Sequence, residues 1–165
     1  MSEALLPEAI VALARRVIDE NRALGRRVVV AESCTGGLVA AALTEIGGSS
    51  AVLDRGYVTY SNEAKSADLG VSEDLIDAFG AVSIACVYAM AQGALQRSNA
   101  DVAVAISGVA GPDGGSEHKP VGTVMFARAR RGDETPEAEV KLFENLDRAG
   151  VRRQATLWAL ELLLP

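Results

Sequence analysis

Leu6, Ile10, Leu13 and Val17 recur at helical spacing and Gly25 closes the segment, which predicts an opening helix. The next apolar run has no such period. Arg27 to Ala31 reads RVVVA, short and β-branched, and predicts a strand covered on both faces. Leu38 to Ile46 (LVAAALTEI) returns to a helical pattern that Gly47-Gly48 stops. Leu53 to Thr59 reads as a second strand, with Asp54 and Arg55 marking an edge or a polar face. Two short helices are predicted over Asn62–Leu69 and Ser72–Phe79, the second with Ser72 as its N-cap. A longer helix runs from Ser83 to Arg97, with Ile84, Val87, Ala91 and Leu95 as its inner stripe. Asp101 to Ile106 (DVAVAI) is a third strand, followed by a glycine-rich loop to Gly122. Thr123–Ala129 and Glu139–Phe143 are strands separated by a charged turn. A closing helix from Asp147 to Leu164 turns Val151, Ala155, Trp158 and Leu162 inward.

Strands alternating with helices imply a layered α/β domain. The last two strands follow one another without a helix, so the sheet is expected to be mixed. No internal repeat or linker interrupts the pattern, and the polar ARRGDETPEAE stretch is short enough for a hairpin loop. One domain over residues 1–165 is the expectation.

Composition removes several classes of function. Apolar residues are 49% and charged residues 23% of the chain, which excludes a disordered protein. Aromatic residues are only 4%, so few rings are available to stack on single-stranded nucleic acid. The net charge of −6 argues against nucleic-acid or anionic-membrane partners, and the basic cluster Arg128-Ala129-Arg130-Arg131 reads as a solvated strand end. Cys34 and Cys86 cannot form a disulfide framework, and no Cys/His cluster has zinc spacing. His118 is the only histidine, so a Ser-His-Asp catalyst would have to use that residue. The start MSEALLPEAI lacks the basic residues of a secretory signal, and no apolar run approaches the roughly 20 residues of a membrane span. A soluble cytoplasmic protein is expected.

Candidate chemistry concentrates in three stretches. Glu32-Ser33-Cys34-Thr35-Gly36-Gly37 joins a buried strand to a helix, where glycines admit a ligand close to the backbone and a helix N-terminus favours negative charge. The loop is neither a Walker P-loop nor a G-x-G-x-x-G fingerprint. Ser33 and Thr35 fit equally well as helix caps, and Cys34 is a rival nucleophile or a buried structural thiol. Ser107-Gly108-Val109-Ala110-Gly111-Pro112-Asp113-Gly114-Gly115 leaves the third strand and suits a nest of N–H donors or a tight crossover. Between them, Tyr57 to Lys65 passes from strand to helix. Lys65 falls in the first helical turn, where the dipole would lower its pKa and favour a base; a solvated lysine is the alternative.

The blocks AESCTGG, GYVTYSNEAK, AISGVAGPDGG and KPVGTV closely resemble the C-terminal domain of the CinA (competence/damage-inducible) family, from about Val28 to Trp158. The length is similar to the family's stand-alone form, without the molybdopterin-binding-like N-terminal domain. The resemblance implies a three-layer α/β/α sandwich around a mixed, mostly parallel sheet. It implies hydrolysis of the carboxamide of nicotinamide mononucleotide (NMN) to nicotinic acid mononucleotide and ammonia, in pyridine-nucleotide salvage. It implies no metal or cofactor, and a homodimer. By the same resemblance Ser33 is the catalytic serine, Lys65 the catalytic lysine and Tyr60 an active-site tyrosine. Cys34, Thr35, Gly36, Gly37, Ser107, Gly108 and Gly111 fall in the substrate-binding loops. Ser107 stands where a threonine is common. A family arginine aligns best with Arg148, with Arg152 as a second candidate. A Ser-Lys pair needs no histidine, with Lys65 taking the Ser33 proton directly or through Tyr60. The reading from a different class is a non-catalytic nucleotide-binding or regulatory module.

Overall fold

The computed structural model describes residues 3–165; Met1 and Ser2, the first residues of the stretch read for a secretory signal, lie outside them. The elements run α1 (Glu8–Ala23), β1 (Val28–Glu32), α2 (Leu38–Thr44), a 3-10 turn at Ser49–Ala51 and β2 (Leu53–Val58). There follow α3 (Asn62–Leu69), α4 (Glu73–Phe79), α5 (Ile84–Gln96), β3 (Val102–Gly108), β4 (Thr123–Arg130), β5 (Glu137–Leu142) and α6 (Arg148–Leu162). The strands form one sheet in the order β2-β1-β3-β4-β5. β1 is parallel to β2 and β3, β4 is antiparallel to both its neighbours, and so four strands share one direction while β4 opposes them.

The two-residue period of the strands sorts the core. Val28 and Val30 of β1, with Val102, Val104 and Ile106 of β3, pack into the cluster under α1, α2 and α6. Val29, Ala31, Ala103 and Ala105 face the other way, into the cluster under α5. Each fully buried Val, Ile or Leu contributes roughly 1.5–3 kcal/mol. The second face is built from small residues, and α5 answers with Ala91, Gly93 and Ala94, so helix and sheet approach closely. Gly93 also meets α3: a Cβ there would overlap the Leu69 carbonyl oxygen, so only a hydrogen fits. Helices on both faces complete the three-layer α/β/α arrangement.

Some expectations need correcting. Ile84 is largely exposed, and the inner stripe of α5 runs through Cys86, Val87, Met90, Ala91 and Ala94. Ser72 holds the N-cap position of α4 in extended conformation, yet its side chain accepts no capping bond. Ser61, Ser83 and Asp147 do cap, accepting from the N–H of Ala64, Cys86 and Gly150. Trp158 and Leu162 are only half-buried. The Trp158 Nε1 reaches the surface and donates to Glu139 Oε1 at 2.6 Å. β5 starts two residues earlier than its apolar pattern predicts, because Arg128 of β4 donates to Glu137 and holds that residue in the ladder.

Candidate active site

The parallel strands β1, β2 and β3 end together at Glu32, Val58 and Gly108, the edge where α/β sheets place their ligands. Each strand hands the chain to a loop carrying one of the predicted motifs. Ser33 follows β1 directly, and its N–H donates to the Ile106 carbonyl of β3 at 2.9 Å, so the residue is held against the sheet. Thr59 and Tyr60 follow β2, with the Thr59 N–H on the Glu32 carbonyl at 2.9 Å. Ser61 then caps α3, and the first turn of that helix carries Lys65 back over the strand ends.

Lys65 is 1% exposed. Its Nζ lies 3.1 Å from Ser33 Oγ, 2.8 Å from the Thr59 carbonyl and 3.1 Å from the Tyr60 carbonyl. A neutral amine has two N–H bonds and one lone pair. The two carbonyls take the two N–H bonds, which leaves the lone pair for the serine hydroxyl. Burial pushes the Lys65 pKa below the ordinary lysine value. The cause therefore differs from the helix-dipole expectation: desolvation is the leading effect. No carboxylate forms an ion pair with Lys65 among the described residues, and against the effect of burial stand only the Cys86 and Cys34 thiols.

Glu32 organises the Ser33 loop from below, and the sequence reading gave it no role. It is fully buried, and its carboxyl oxygens accept from Thr35 Oγ1 at 2.6 Å, Val39 N at 2.9 Å and Ala40 N at 3.1 Å. Glu32 thus does what Ser33 and Thr35 were candidates for: it caps the start of α2, leaving the Ser33 hydroxyl free for Lys65. Gly37 occupies the N-cap position itself at φ 101°, a backbone conformation that favours glycine. From the opposite side, Arg152 of α6 donates through Nε to the Cys34 carbonyl at 3.1 Å and through Nη2 to the Thr35 carbonyl at 3.4 Å.

A cleft of about 320 Å³ opens over the pair. Ser33, Cys34, Tyr60, Lys65, Ser107, Gly108, Gly111 and Arg148 line it, together with Asp113 of the second glycine loop and with Val82, which lies outside the three stretches. Arg148 crosses the cleft mouth, donating to the Gly111 carbonyl at 2.6 Å and to the Tyr60 hydroxyl at 3.1 Å. No carboxylate pairs with it among the described residues. Tyr60 meets Lys65 only through its carbonyl, so its phenol serves Arg148 and is not a relay between lysine and serine.

Several predicted substrate contacts lie elsewhere. Thr35 is fully buried with its hydroxyl on Glu32, and neither it nor Gly36 or Gly37 belongs to the cleft wall. Their role is to shape the loop behind Ser33. Ser107 lines the cleft, but its hydroxyl donates to the Ala81 carbonyl at 2.8 Å, which ties β3 to the segment before α5. The Ser107 proton is therefore committed within the fold. Burial, with Glu32 nearby, pushes the Cys34 thiol up to about 11, which disfavours the reactive thiolate. His118 sits exposed in the loop between β3 and β4. Among the described residues no three His, Cys, Asp or Glu side chains form a metal-holding group, and no helix is long and apolar enough to cross a membrane.

Comparison with known proteins places this geometry. The model of the CinA C-terminal domain matches residues 10–165. The nicotinamide-nucleotide amidohydrolase PncC of Escherichia coli K12 is 54% identical over 152 residues, covering 92% of this chain and 90% of that protein. The protein of the same name from Enterobacter agglomerans is 49% identical, covering 99% and 96% of the two chains. Among solved structures, the competence/damage inducible protein CihA of Agrobacterium tumefaciens superposes with a TM-score of 0.93 at 49% identity, covering 99% of this chain and 97% of that one.

Proposed function

The chain belongs to the CinA C-terminal domain family, and we propose that it hydrolyses the carboxamide of NMN by Ser-Lys nucleophilic catalysis, with residues 1–165 acting as one amidohydrolase domain. Two relatives named nicotinamide-nucleotide amidohydrolase, each matched over nine-tenths or more of its length, support the substrate class. The observation that carries the mechanism is the buried 3.1 Å contact between Lys65 Nζ and Ser33 Oγ.

In this reading neutral Lys65 removes the Ser33 proton as Oγ bonds to the carboxamide carbon. The carbonyl π electrons move to oxygen, and the oxyanion is met by loop N–H groups. The N–H groups of Ser33 and Gly36 are already spent on the Ile106 and Ser33 carbonyls, which leaves the Cys34 N–H as the donor of this loop that borders the cleft. Protonated Lys65 then delivers its proton to the departing nitrogen, ammonia leaves, and a nicotinoyl ester remains on Ser33. Lys65, neutral again, activates water for attack on that ester. Collapse returns the serine hydroxyl and releases nicotinic acid mononucleotide, the deamidated nucleotide of pyridine-nucleotide salvage. Arg148 carries an unpaired charge at the cleft mouth, which suits the 5′-phosphate.

Purified protein incubated with NMN should release ammonia in equal amount to nicotinic acid mononucleotide. Ser33→Ala should lower kcat by about 10³-fold or more while NMN still binds. Undiminished turnover in that variant would remove Ser33 as nucleophile. NMN binding without ammonia release from the unaltered protein would leave a nucleotide-binding module.

A further inference from the structure

Lys65, Asp113 and Arg148 are the lysine, the acid and the arginine of the cleft wall. Lys65 is buried and acts as a neutral amine in the reading above. Arg148 is held at the mouth by the Gly111 carbonyl and the Tyr60 hydroxyl. Asp113 stands two residues beyond Gly111 on the second glycine loop and is exposed. It forms no ion pair among the described residues, so its charge is not spent on a basic side chain of the fold. The other acid near the reacting pair, Glu32, is turned into the interior by three accepted hydrogen bonds and is not part of the cleft wall. The loop that carries Asp113 is closed at its base, where the Val109 N–H donates to the Thr123 carbonyl at 2.9 Å and the Gly122 N–H to the Val109 carbonyl at 2.8 Å. Just past Asp113 the chain doubles back. The Ser116 N–H donates to the Lys119 carbonyl at 2.9 Å, and a Cβ at Gly115 would stand 3.1 Å from that same oxygen. Val82 and Ala110 add apolar surface to the wall.

We propose that Asp113 is a specificity residue for the positive charge of the substrate's pyridinium ring, distinguishing it from an uncharged ring of nearly the same shape. This assignment rests on the NMN reading above, because it takes the position of the ring from the reaction. Attack by Ser33 fixes where the carboxamide carbon lies. The ring is bonded to that carbon, so it enters the same cleft and brings its charge with it. The phosphate, at the far end of the ribose, goes to Arg148 at the mouth. A positive ring and a negative phosphate then meet one carboxylate and one guanidinium, neither of which has an ion-pair partner in the fold. Discrimination is a difference between two affinities, and Val82 and Ala110 offer the same apolar surface to a ring of either charge. The charge of Asp113 is what separates them. Water reaches this carboxylate, so the difference is modest, about threefold in affinity.

NMN and its reduced form NMNH test the assignment, since they share carboxamide, ribose and phosphate and differ in the charge of the ring. Both are titrated into Ser33→Ala protein, NMNH by its own fluorescence and NMN by displacing it. The quantity read is the dissociation constant of NMNH divided by that of NMN. Asp113→Asn in the same background should lower this ratio by about threefold, by weakening NMN and leaving NMNH unchanged. A salt series on the Ser33→Ala protein alone gives a second reading that needs no change at Asp113. Salt screens the phosphate of both ligands equally, so the ratio should fall toward the Asp113→Asn value as ionic strength rises. A ratio that Asp113→Asn leaves unchanged would overturn the assignment, including the case in which both ligands weaken together, as a contact to ribose or carboxamide would produce. If the unaltered protein still releases ammonia from NMN in that case, the amidohydrolase reading stands without it. If NMN neither binds nor releases ammonia, both fall.

Discussion

The two glycine loops that enclose the cleft are built on different principles. The Glu32–Gly37 loop is gripped from below by Glu32, which gathers Thr35 and the start of α2, and from outside by Arg152 on two carbonyls. The Gly108–Gly115 loop, and the segment running on to Gly122, carries exposed residues from Pro112 to His118. Backbone bonds of Val109 with Thr123 and Gly122 pin its base, and beyond them its side-chain ties are single contacts: Arg148 on the Gly111 carbonyl, and Lys119 Nζ on the Phe79 carbonyl at 3.1 Å. One wall is held at several points where the proposed reacting atoms lie, and the other carries fewer side-chain ties. A reaction that needs its nucleophile placed within a fraction of an ångström, on a substrate that must enter and leave, has use for both.

The contrast can be broken in order of effect. Lys65→Arg keeps a positive charge and removes the neutral form, so kcat should fall by about 10³-fold or more in a folded protein. The pH profile provides the companion measurement. With the Lys65 pKa lowered by burial, kcat/KM should rise through a midpoint below the ordinary lysine value. Stability should move the same way. The unfolded chain holds the lysine proton between the lowered folded value and the ordinary one, so unfolding free energy climbs with pH across that window. Lys65→Met should flatten the climb in a denaturant series.

The two arginines of α6 sharpen the comparison, since they stand one helical turn apart and serve different walls. Arg152→Ala loosens the fixed wall and should lower kcat by up to about 10²-fold with KM little changed, and Arg152→Lys should restore part of it. Arg148→Ala acts on the adaptable wall and should raise KM by about tenfold or more while kcat changes less. Glu32→Gln, which weakens three accepted hydrogen bonds in the interior, should cost about 1–3 kcal/mol, read as a lower Tm. Lys119→Ala, at one tie of the looser wall, should change stability by no more than about 0.5 kcal/mol.

What could be read before folding follows the same division. The strand β1 announced itself because Val28 and Val30 face one core while Val29 and Ala31 face the other, and α3 was readable to the residue because Ser61 caps it and Gly70 ends it. Lys65 and Ser33 were readable as motif residues. That the lysine is buried against two carbonyls depends on where β2 ends in space, which no local pattern encodes. Glu32 escaped notice because periodicity scores a lone acid at the end of VVVA as the start of a loop. Its signal is an acid closing a buried parallel strand six residues before a helix that has no side-chain cap of its own. The resemblance favoured Arg148 over Arg152, and the structure shows what each one reaches: the Gly111 carbonyl for Arg148, the Cys34 and Thr35 carbonyls for Arg152. Ile84 and Trp158 misled because an apolar stripe does not reveal where its covering layer stops.

Position 93 shows how far from the cleft the attack geometry is set. Leu69, whose carbonyl leaves room for nothing larger than hydrogen on α5, lies one turn beyond Lys65 on the same helix. A methyl at that point must lever one helix away from the other, and the amine travels with its helix. In a saturation screen scored by turnover, Gly93 should therefore group with the reacting pair, although it never meets a ligand.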